Sequence, residues 1–167
     1  AVFVVVYISF MGYAGDRVTA WLHPELDPGD TGYQILQSLY AIGSGGLFGL
    51  GYGKSRQKYL YLPFQYNDYI FAVICEELGL VGAMAIVALF AVTILRGYWI
   101  ALNARDRFST VLAAGLVTLI AVQTILNLCV VTNLLPSTGI ALPFFSYGGT
   151  ALAVNLGEMG IVLGISR

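Results

Sequence analysis

The sequence predicts an all-α polytopic membrane protein, and two observations point to this fold class: charged residues are rare, and apolar segments are long. The 167 residues are 58% hydrophobic and only 10% charged, whereas soluble domains carry about 25% charged residues. A helix needs about 20 apolar residues to cross a hydrocarbon core of about 30 Å, and several segments reach that length. The net charge of −1 gives no basis for nucleic-acid binding.

Apolar segments predict three complete transmembrane helices and part of a fourth. The complete spans are residues 69–97, 109–132 and 149–166. Residues 1–13 are too short to cross alone and are interpreted as the end of another transmembrane helix. The span at 69–97 is longer than a bilayer requires, so it is expected to tilt or to project from the membrane. The chain is therefore expected to be a fragment of a larger bundle.

Arginine positions predict the orientation of these spans. The connection at 98–108 lies among three cations and a single acid: Arg96, Arg105, Arg107 and Asp106. The positive-inside rule places this connection in the cytoplasm. Alternation then places a large loop at 14–68 and a second loop at 133–148 on the outer side of the membrane.

The large loop contains two patterns of its own. Polar or small side chains recur at helical spacing and indicate an amphipathic helix lying on the membrane or on the bundle: Gln34, Gln37, Ser38 and Ala41. The glycine-rich stretch at 43–53 has neither the spacing of a dinucleotide fingerprint nor a P-loop lysine. It is therefore interpreted as a flexible connection that packs closely against other backbone.

Cations and aromatic residues follow the glycines. Lys54, Arg56 and Lys58 alternate, so an extended segment would point all three side chains to one side. They could contact phospholipid headgroups or clamp the diphosphate of a lipid-linked substrate, and charge alone leaves both interpretations open. The aromatic residues at 59–71 are typical of an interfacial belt.

Three polar sites are candidates for chemistry. Asp68 is interpreted either as the N-cap of the following helix or as a surface carboxylate that takes a proton or binds a metal. Glu76 and Glu77 lie about 12–14 Å further along a helix, which argues against a two-carboxylate site with Asp68. A structural ion pair with another helix is favoured for them, with the lining of a polar cavity as the alternative. Residues 146–149 open a helix whose free N–H groups attract anions, with a structural turn as an equal alternative. Two polar residues of the last span stay unassigned: Asn155 and Glu158.

Taken in order, these motifs resemble the FtsW/RodA/SpoVE family across nearly the whole chain. The matching stretches include 55–58 (Ser-Arg-Gln-Lys), 67–71 (Asn-Asp-Tyr-Ile-Phe), 76–79 (Glu-Glu-Leu-Gly) and 142–149 (Leu-Pro-Phe-Phe-Ser-Tyr-Gly-Gly), with others at 17–28, 32–49 and 61–63. The resemblance is nearer to the FtsW/SpoVE branch than to RodA. It implies the C-terminal part of a ten-helix bundle in the bacterial cytoplasmic (inner) membrane, with a long extracytoplasmic loop containing short helices.

The resemblance also implies a function. Family members polymerise lipid II, an undecaprenyl-diphosphate-linked disaccharide-peptide, and act with a class B penicillin-binding protein and other divisome or elongasome membrane proteins. The family's essential loop aspartate corresponds to Asp68, which would act as a general base or hold a divalent cation, Mg²⁺ or Mn²⁺, near the diphosphate. A lipid II flippase and a non-catalytic scaffold that recruits the penicillin-binding protein are the alternatives.

Further residues are expected to assist Asp68. Substrate binding is expected of two groups, the first in the large loop and the second in the second loop: Lys54, Arg56, Gln57 and Lys58, and Ser146, Tyr147, Gly148 and Gly149. Supporting roles are expected of Arg17, Glu76 and Glu77. Phe64 stands where the family commonly has glutamate, so activity would be altered here if that acid assists catalysis in relatives.

Overall fold

A computed structural model describes residues 15, 17–26, 31–55 and 68–166. All regular structure within these residues is helical: a helical turn at 17–22, a 3₁₀ turn at Pro24–Leu26, and four longer helices. We number the longer helices α1 (Thr31–Gly45), α2 (Ile70–Leu102), α3 (Arg107–Val131) and α4 (Gly149–Ile165). The predicted all-α class is confirmed for this part of the chain, and the span end predicted at 1–13 lies outside it.

Two of the helices have the length and apolarity of membrane spans. α2 and α3 are long and apolar enough to cross a membrane, whereas α4 is apolar but shorter, with 17 residues. α2 continues past the predicted end at residue 97 to Leu102, so the connection to α3 is a short turn at 103–106. Asp106 caps α3 by accepting hydrogen bonds from the backbone N–H of Ser109 (3.0 Å) and from its hydroxyl (2.7 Å). These bonds hold the pKa of Asp106 below its ordinary value.

α2 is broken at Gly79. This residue has φ 68° and ψ −170°, a conformation that is essentially restricted to glycine, so one helix stops there and a second begins. At 1.5 Å per residue, residues 80–102 alone extend about 34 Å, which is enough to cross a hydrocarbon core of about 30 Å. The excess length that the sequence predicted is thus contributed by the helical piece before the break.

Residues 46–51, which we call the glycine segment, fill the break in α2. Four backbone hydrogen bonds of 2.9–3.2 Å join the two, each from an N–H to a carbonyl: Leu80 to Gly46, Val81 to Leu47, Leu50 to Glu76 and Gly51 to Glu77. A Cβ at Gly49 would lie only 2.2 Å from the carbonyl oxygen of Glu77. The prediction that the glycine-rich stretch packs closely against other backbone is therefore confirmed.

Small residues allow α1 to pack against the piece of α2 before the break. Ala41 and Ala72 are completely buried in one apolar cluster, and a Cβ at Gly45 would lie 2.0 Å from the carbonyl oxygen of Cys75. The buried hydroxyl of Ser38 donates a hydrogen bond of 3.3 Å to the carbonyl of Val131, at the end of α3. The sequence predicts that the amphipathic helix lies either on the membrane or on the bundle. In the structure this helix is α1, and it packs on the bundle.

At the opposite end of the bundle, α2, α3 and α4 meet through a second buried cluster. Its members are mostly small: Ala101, Ala113, Val117 and Val162. Gly97 lies against Val117, where a Cβ would come within 2.6 Å of Cγ2. Small residues at such contacts let membrane helices approach closely, because lipid supplies no hydrophobic drive for their association. This packing joins α2, α3 and α4 at the helix ends that lie away from Asp68 and from the start of α4.

Candidate active site

Asp68 lies directly before α2 and faces the loop that joins α3 to α4. The N-cap position of α2 is occupied by Tyr69, without a side-chain hydrogen bond, so the interpretation of Asp68 as the cap is wrong. The carboxylate instead points towards Gly139, whose left-handed backbone (φ 69°) brings the loop close. A Cβ at Gly139 would lie 3.6 Å from Oδ2 of Asp68. Asp68 therefore belongs to a contact between two segments that are distant in sequence.

Asn127 of α3 joins those two segments. Its amide nitrogen Nδ2 donates to the carbonyl of Asp68 and to the carbonyl of Ile140, both at 2.8 Å. The side chain is 1% exposed. A buried amide with two donors thus ties the backbone of Asp68 to the second loop.

The helical turn at 17–22 holds the same loop from the other side. Nη1 of Arg17 donates to the carbonyl of Ser137 at 2.7 Å, and Nε1 of Trp21 donates to the carbonyl of Asn133 at 3.0 Å. Arg17 also lies close enough for its charge to influence Asp68. The supporting role expected of Arg17 is consistent with this position.

Asp68 and the 146–148 stretch line one cavity of about 220 Å³. Its polar side chains are Asp68, Gln123, Ser146, Tyr147 and Asn155. α4 begins at Gly149, with Gly148 at its N-cap, as the sequence predicted. Two groups of expected site residues thus meet here, although the hydroxyl of Ser146 is already used to accept the N–H of Leu142 at 2.7 Å.

A larger cavity of about 540 Å³ adjoins the first between α3 and α4. The two share the lining residues Gln123, Ala151 and Asn155, and the larger one extends to Glu158. At 1.5 Å per residue, Glu158 lies about 14 Å from the start of α4. Oε2 of Glu158 is buried, with no hydrogen-bond partner among the described residues. Polar groups therefore continue from Asp68 along the α3–α4 interface.

The surroundings raise the pKa of the Asp68 carboxyl above its ordinary value of 3.8. Burial is the larger cause, because it removes water from the charged form, and the positive charge of Arg17 acts in the opposite direction. A carboxylate with a raised pKa is a stronger proton acceptor than one in water. The site is thus suited to receiving a proton.

The other expected site residues lie elsewhere or outside the described part of the chain. Lys54 is exposed, three residues after the glycine segment, and does not line the cavity of Asp68. The buried Glu76 accepts a hydrogen bond from the hydroxyl of Ser55. Oε1 of the buried Glu77 has no hydrogen-bond partner among residues 15, 17–26, 31–55 and 68–166. Three residues of the substrate-binding group expected in the large loop, Arg56, Gln57 and Lys58, fall among those not described.

Sequence reasoning missed Gln123 and Asn127. Both are isolated amide side chains inside the apolar span of α3. Polar residues within membrane spans often mark functional sites, and that signal could have singled them out. Asn155 was noticed for this reason, but its place beside Asp68 required the structure.

The family model described as "Cell cycle protein" and labelled FtsW/RodA/SpoVE matches residues 1–167. The chain belongs to the FtsW/RodA/SpoVE family. It is 50% identical over 155 residues to stage V sporulation protein E of Bacillus subtilis, covering 93% of this chain and 42% of the relative. It is 45% identical over 164 residues to a probable peptidoglycan glycosyltransferase FtsW of Trichlorobacter lovleyi, covering 98% of this chain and 43% of the relative.

Solved structures of this family share the fold. One is a chain of a peptidoglycan synthase complex that coordinates polymerization and crosslinking, with a TM-score of 0.75 and 30% identity, covering 100% of this chain and 45% of that chain. Another is the rod-shape-determining protein RodA of Thermus thermophilus, with a TM-score of 0.60 and 33% identity, covering 78% of this chain and 39% of that chain. The chain thus spans less than half the length of the FtsW/RodA/SpoVE proteins it matches.

Proposed function

We propose that this chain forms part of a peptidoglycan glycosyltransferase of the bacterial cytoplasmic membrane that polymerises lipid II. The observation that carries the proposal is the cavity shared by the Asp68 carboxylate and the start of α4. The carboxylate can accept a proton from an attacking hydroxyl, and a helix N-terminus attracts anions such as a diphosphate, so this cavity suits transfer from a sugar diphosphate. The names of the FtsW relatives support the same activity.

The proposed reaction is an inverting glycosyl transfer at the outer surface of the membrane. The 4-hydroxyl of an acceptor N-acetylglucosamine attacks C1 of the sugar that carries the lipid diphosphate, and Asp68 takes the hydroxyl proton. The new C1–O4 bond forms as the bond from C1 to the diphosphate oxygen breaks, and undecaprenyl diphosphate leaves. Cations placed near the leaving group would offset its charge, and our candidates are Lys54, Arg56 and Lys58. Gln57, which is neutral, is proposed only as a substrate-binding residue beside them.

A divalent cation fits this arrangement if the substrate supplies part of its coordination. In the part of the chain that the structure describes, no group of three His, Cys, Asp or Glu side chains could hold a metal. Mg²⁺ is commonly bound by one or two carboxylates together with substrate phosphates. As the alternative to its role as the base, Asp68 would hold the ion near the diphosphate, and the ion would offset the charge of the leaving group.

The proposed partner is a crosslinking transpeptidase of the class B penicillin-binding protein type. The solved relative comes from a complex that coordinates polymerization and crosslinking. Exposed apolar side chains over most of α4, such as Val154 and Leu156, are compatible with contact to lipid or to further helices. Other divisome or elongasome membrane proteins are proposed as additional partners of the family type.

The activity can be tested with the full-length protein, purified with its transpeptidase and supplied with lipid II and Mg²⁺ or Mn²⁺. Polymerisation predicts glycan strands of many disaccharides, resolved by gel electrophoresis.

Transport of lipid II is the second candidate function, because the polar groups shared by the two cavities continue to Glu158. A transporter would move fluorescent lipid II between the leaflets of vesicles without forming strands.

Replacing Arg17 with glutamine should shift the acid limb of the pH–rate profile for polymerisation to higher pH. A general base must be ionised, so the rate rises as the pH passes the pKa of Asp68. Removal of the Arg17 charge leaves the desolvation of Asp68 unopposed and raises this pKa further. The measurement is kcat/KM for lipid II against pH in the full-length protein.

Two variants make the Arg17 result specific. Arg17→Lys keeps the positive charge and should return the acid limb towards that of the unmodified protein. Arg96→Gln removes an exposed cation that lies over Trp99 on α2, and it should leave the limb where it was. An acid limb that stays in place or falls in Arg17→Gln would contradict the assignment of Asp68 as the base.

A further inference from the structure

The amide of Asn127 is placed between the catalytic carboxylate and the loop opposite it without lining the cavity itself. Its two hydrogen bonds reach carbonyls that are 59 and 13 residues away along the chain. Asn127 is not among the residues that surround the Asp68 cavity. Any effect of Asn127 on the reaction must therefore pass through the backbone that it holds.

We propose that Asn127 is a positioning residue for Asp68, fixing the backbone of Asp68 against the second loop so that the carboxylate stays directed into the cavity. The inference rests on the proposed function, because it assigns Asn127 a part in the reaction of that site. It does not make Asn127 a contact of the substrate.

The chemistry of the side chain fits this role. Both partners of Asn127 are carbonyl oxygens, so the group between them must donate twice and need not accept. A neutral amide supplies two N–H donors without bringing a charge into a buried position. Oδ1 of Asn127 is buried without a partner within the described residues, so the two donors account for the hydrogen bonds of this side chain there.

Neither of the two residues whose carbonyls Asn127 holds belongs to a helix or a strand. Asp68 precedes the first turn of α2, and Ile140 lies in a stretch without helix or strand. Gly139, next to Ile140, is the residue that faces Oδ2 of Asp68. A shift at Asn127 would therefore move both walls of the cavity relative to each other.

The test is Asn127→Leu in the full-length protein with its transpeptidase, because leucine has a similar volume and no donors. We expect kcat for lipid II polymerisation to fall about 10- to 100-fold, since misplacing a catalytic group by about 1 Å can cost a factor of about 100. KM and lipid II binding should change by no more than about twofold, because the contacts with the substrate remain. Thermal stability is measured on the same preparations, and rates are given per folded molecule.

The matched control is Thr124→Val, one turn earlier on α3. Thr124 is buried, and its hydroxyl bonds to the carbonyl of Ile120 within the same helix. This variant also loses a buried hydrogen bond, but the lost bond does not reach Asp68, so kcat should be unchanged. If Thr124→Val lowers kcat as much as Asn127→Leu, the effect is general loosening of α3 and the proposal is overturned.

A second variant keeps the proposal testable if Asn127→Leu does not fold. In Asn127→Ser the side chain is smaller and retains one donor. Its kcat should lie below that of the unmodified protein and above that of an Asn127 variant without donors. A kcat in Asn127→Ser equal to that of the unmodified protein would overturn the positioning role. If Asp68→Asn is inactive while Asn127→Leu keeps full kcat, only this inference fails. If Asp68→Asn is itself fully active, the proposed function fails.

Discussion

Asp68→Asn should lower the rate of glycan polymerisation by about 100- to 10,000-fold, the range that general acid–base groups typically contribute. Asparagine has the shape of aspartate but cannot accept the proton of the attacking hydroxyl. Binding of lipid II should stay within about twofold, because the cavity keeps its size and its other polar groups. The measurement is strand formation and lipid II affinity in the purified full-length complex.

The fold should tolerate Asp68→Asn. The main influences on the carboxyl are burial and the charge of Arg17, and burying a neutral amide costs less than burying a carboxylate. Loss of activity can therefore be attributed to chemistry once thermal unfolding confirms that the variant is folded.

Asp106→Asn is the matched control for this experiment. Asp106 is an aspartate at the N-cap of α3, and its side chain accepts hydrogen bonds from Ser109. Asparagine caps helices about as well as aspartate, so activity should stay at the level of the unmodified protein.

Asp68→Glu keeps a carboxylate but displaces it by one methylene, and it should recover part of the rate. Near-normal polymerisation by Asp68→Asn would exclude Asp68 as the base and favour transport or scaffolding.

The sequence predicts the helices of this fold better than it predicts how they are interrupted. Apolar length is a local property, so α2 and α3 could be recognised from composition alone. The break at Gly79 depends on the glycine segment, which approaches from far away in the chain. A glycine inside an apolar run is compatible with an intact helix, so the sequence around Gly79 does not reveal that the helix stops there.

The candidate site was predictable to a similar extent. Asp68 and residues 146–149 stand out because polar or helix-breaking residues at the edge of apolar segments are uncommon, and the family resemblance directed attention to Asp68. Asn127 lies four residues after Gln123 in an apolar helix, and the two amides match no recognised site motif, so the sequence marks Asn127 only as an unusual polar residue. Its importance lies in a contact that spans 59 residues, which only the tertiary arrangement reveals.

Gly79→Ala should destabilise the protein by about 3 kcal/mol or more. The backbone at Gly79 (φ 68°, ψ −170°) lies in a region that costs other residues about 1–3 kcal/mol. The added Cβ would also lie 2.3 Å from the backbone nitrogen of Gly49 and 2.6 Å from the carbonyl oxygen of Leu47. Because both contacts are with backbone, the glycine segment must move, and hydrogen bonds worth about 0.5–1.5 kcal/mol each are lost. The measurement is thermal unfolding of the purified full-length protein in detergent.

Gly115→Ala is the matched control, because Gly115 is an exposed glycine inside α3 and a Cβ there meets no atom within 4 Å. Alanine is favoured over glycine in a helix interior by about 1 kcal/mol, so this variant should be as stable as the unmodified protein or slightly more stable. An unfolding temperature of Gly79→Ala equal to that of Gly115→Ala would mean that the glycine segment is not docked in the break.

A double substitution separates the docking contact from simple backbone strain. A Cβ at Gly49 would lie 2.2 Å from the carbonyl oxygen of Glu77 and 2.7 Å from the nitrogen of Gly79, so both glycines serve one contact. Once Gly79→Ala has displaced the segment, Gly49→Ala has less left to disrupt, and the double variant should lose less stability than the two single losses added together. If the losses of stability were strictly additive, the two glycines would take part in independent interactions. The glycine segment would then not be the element that fills the break in α2.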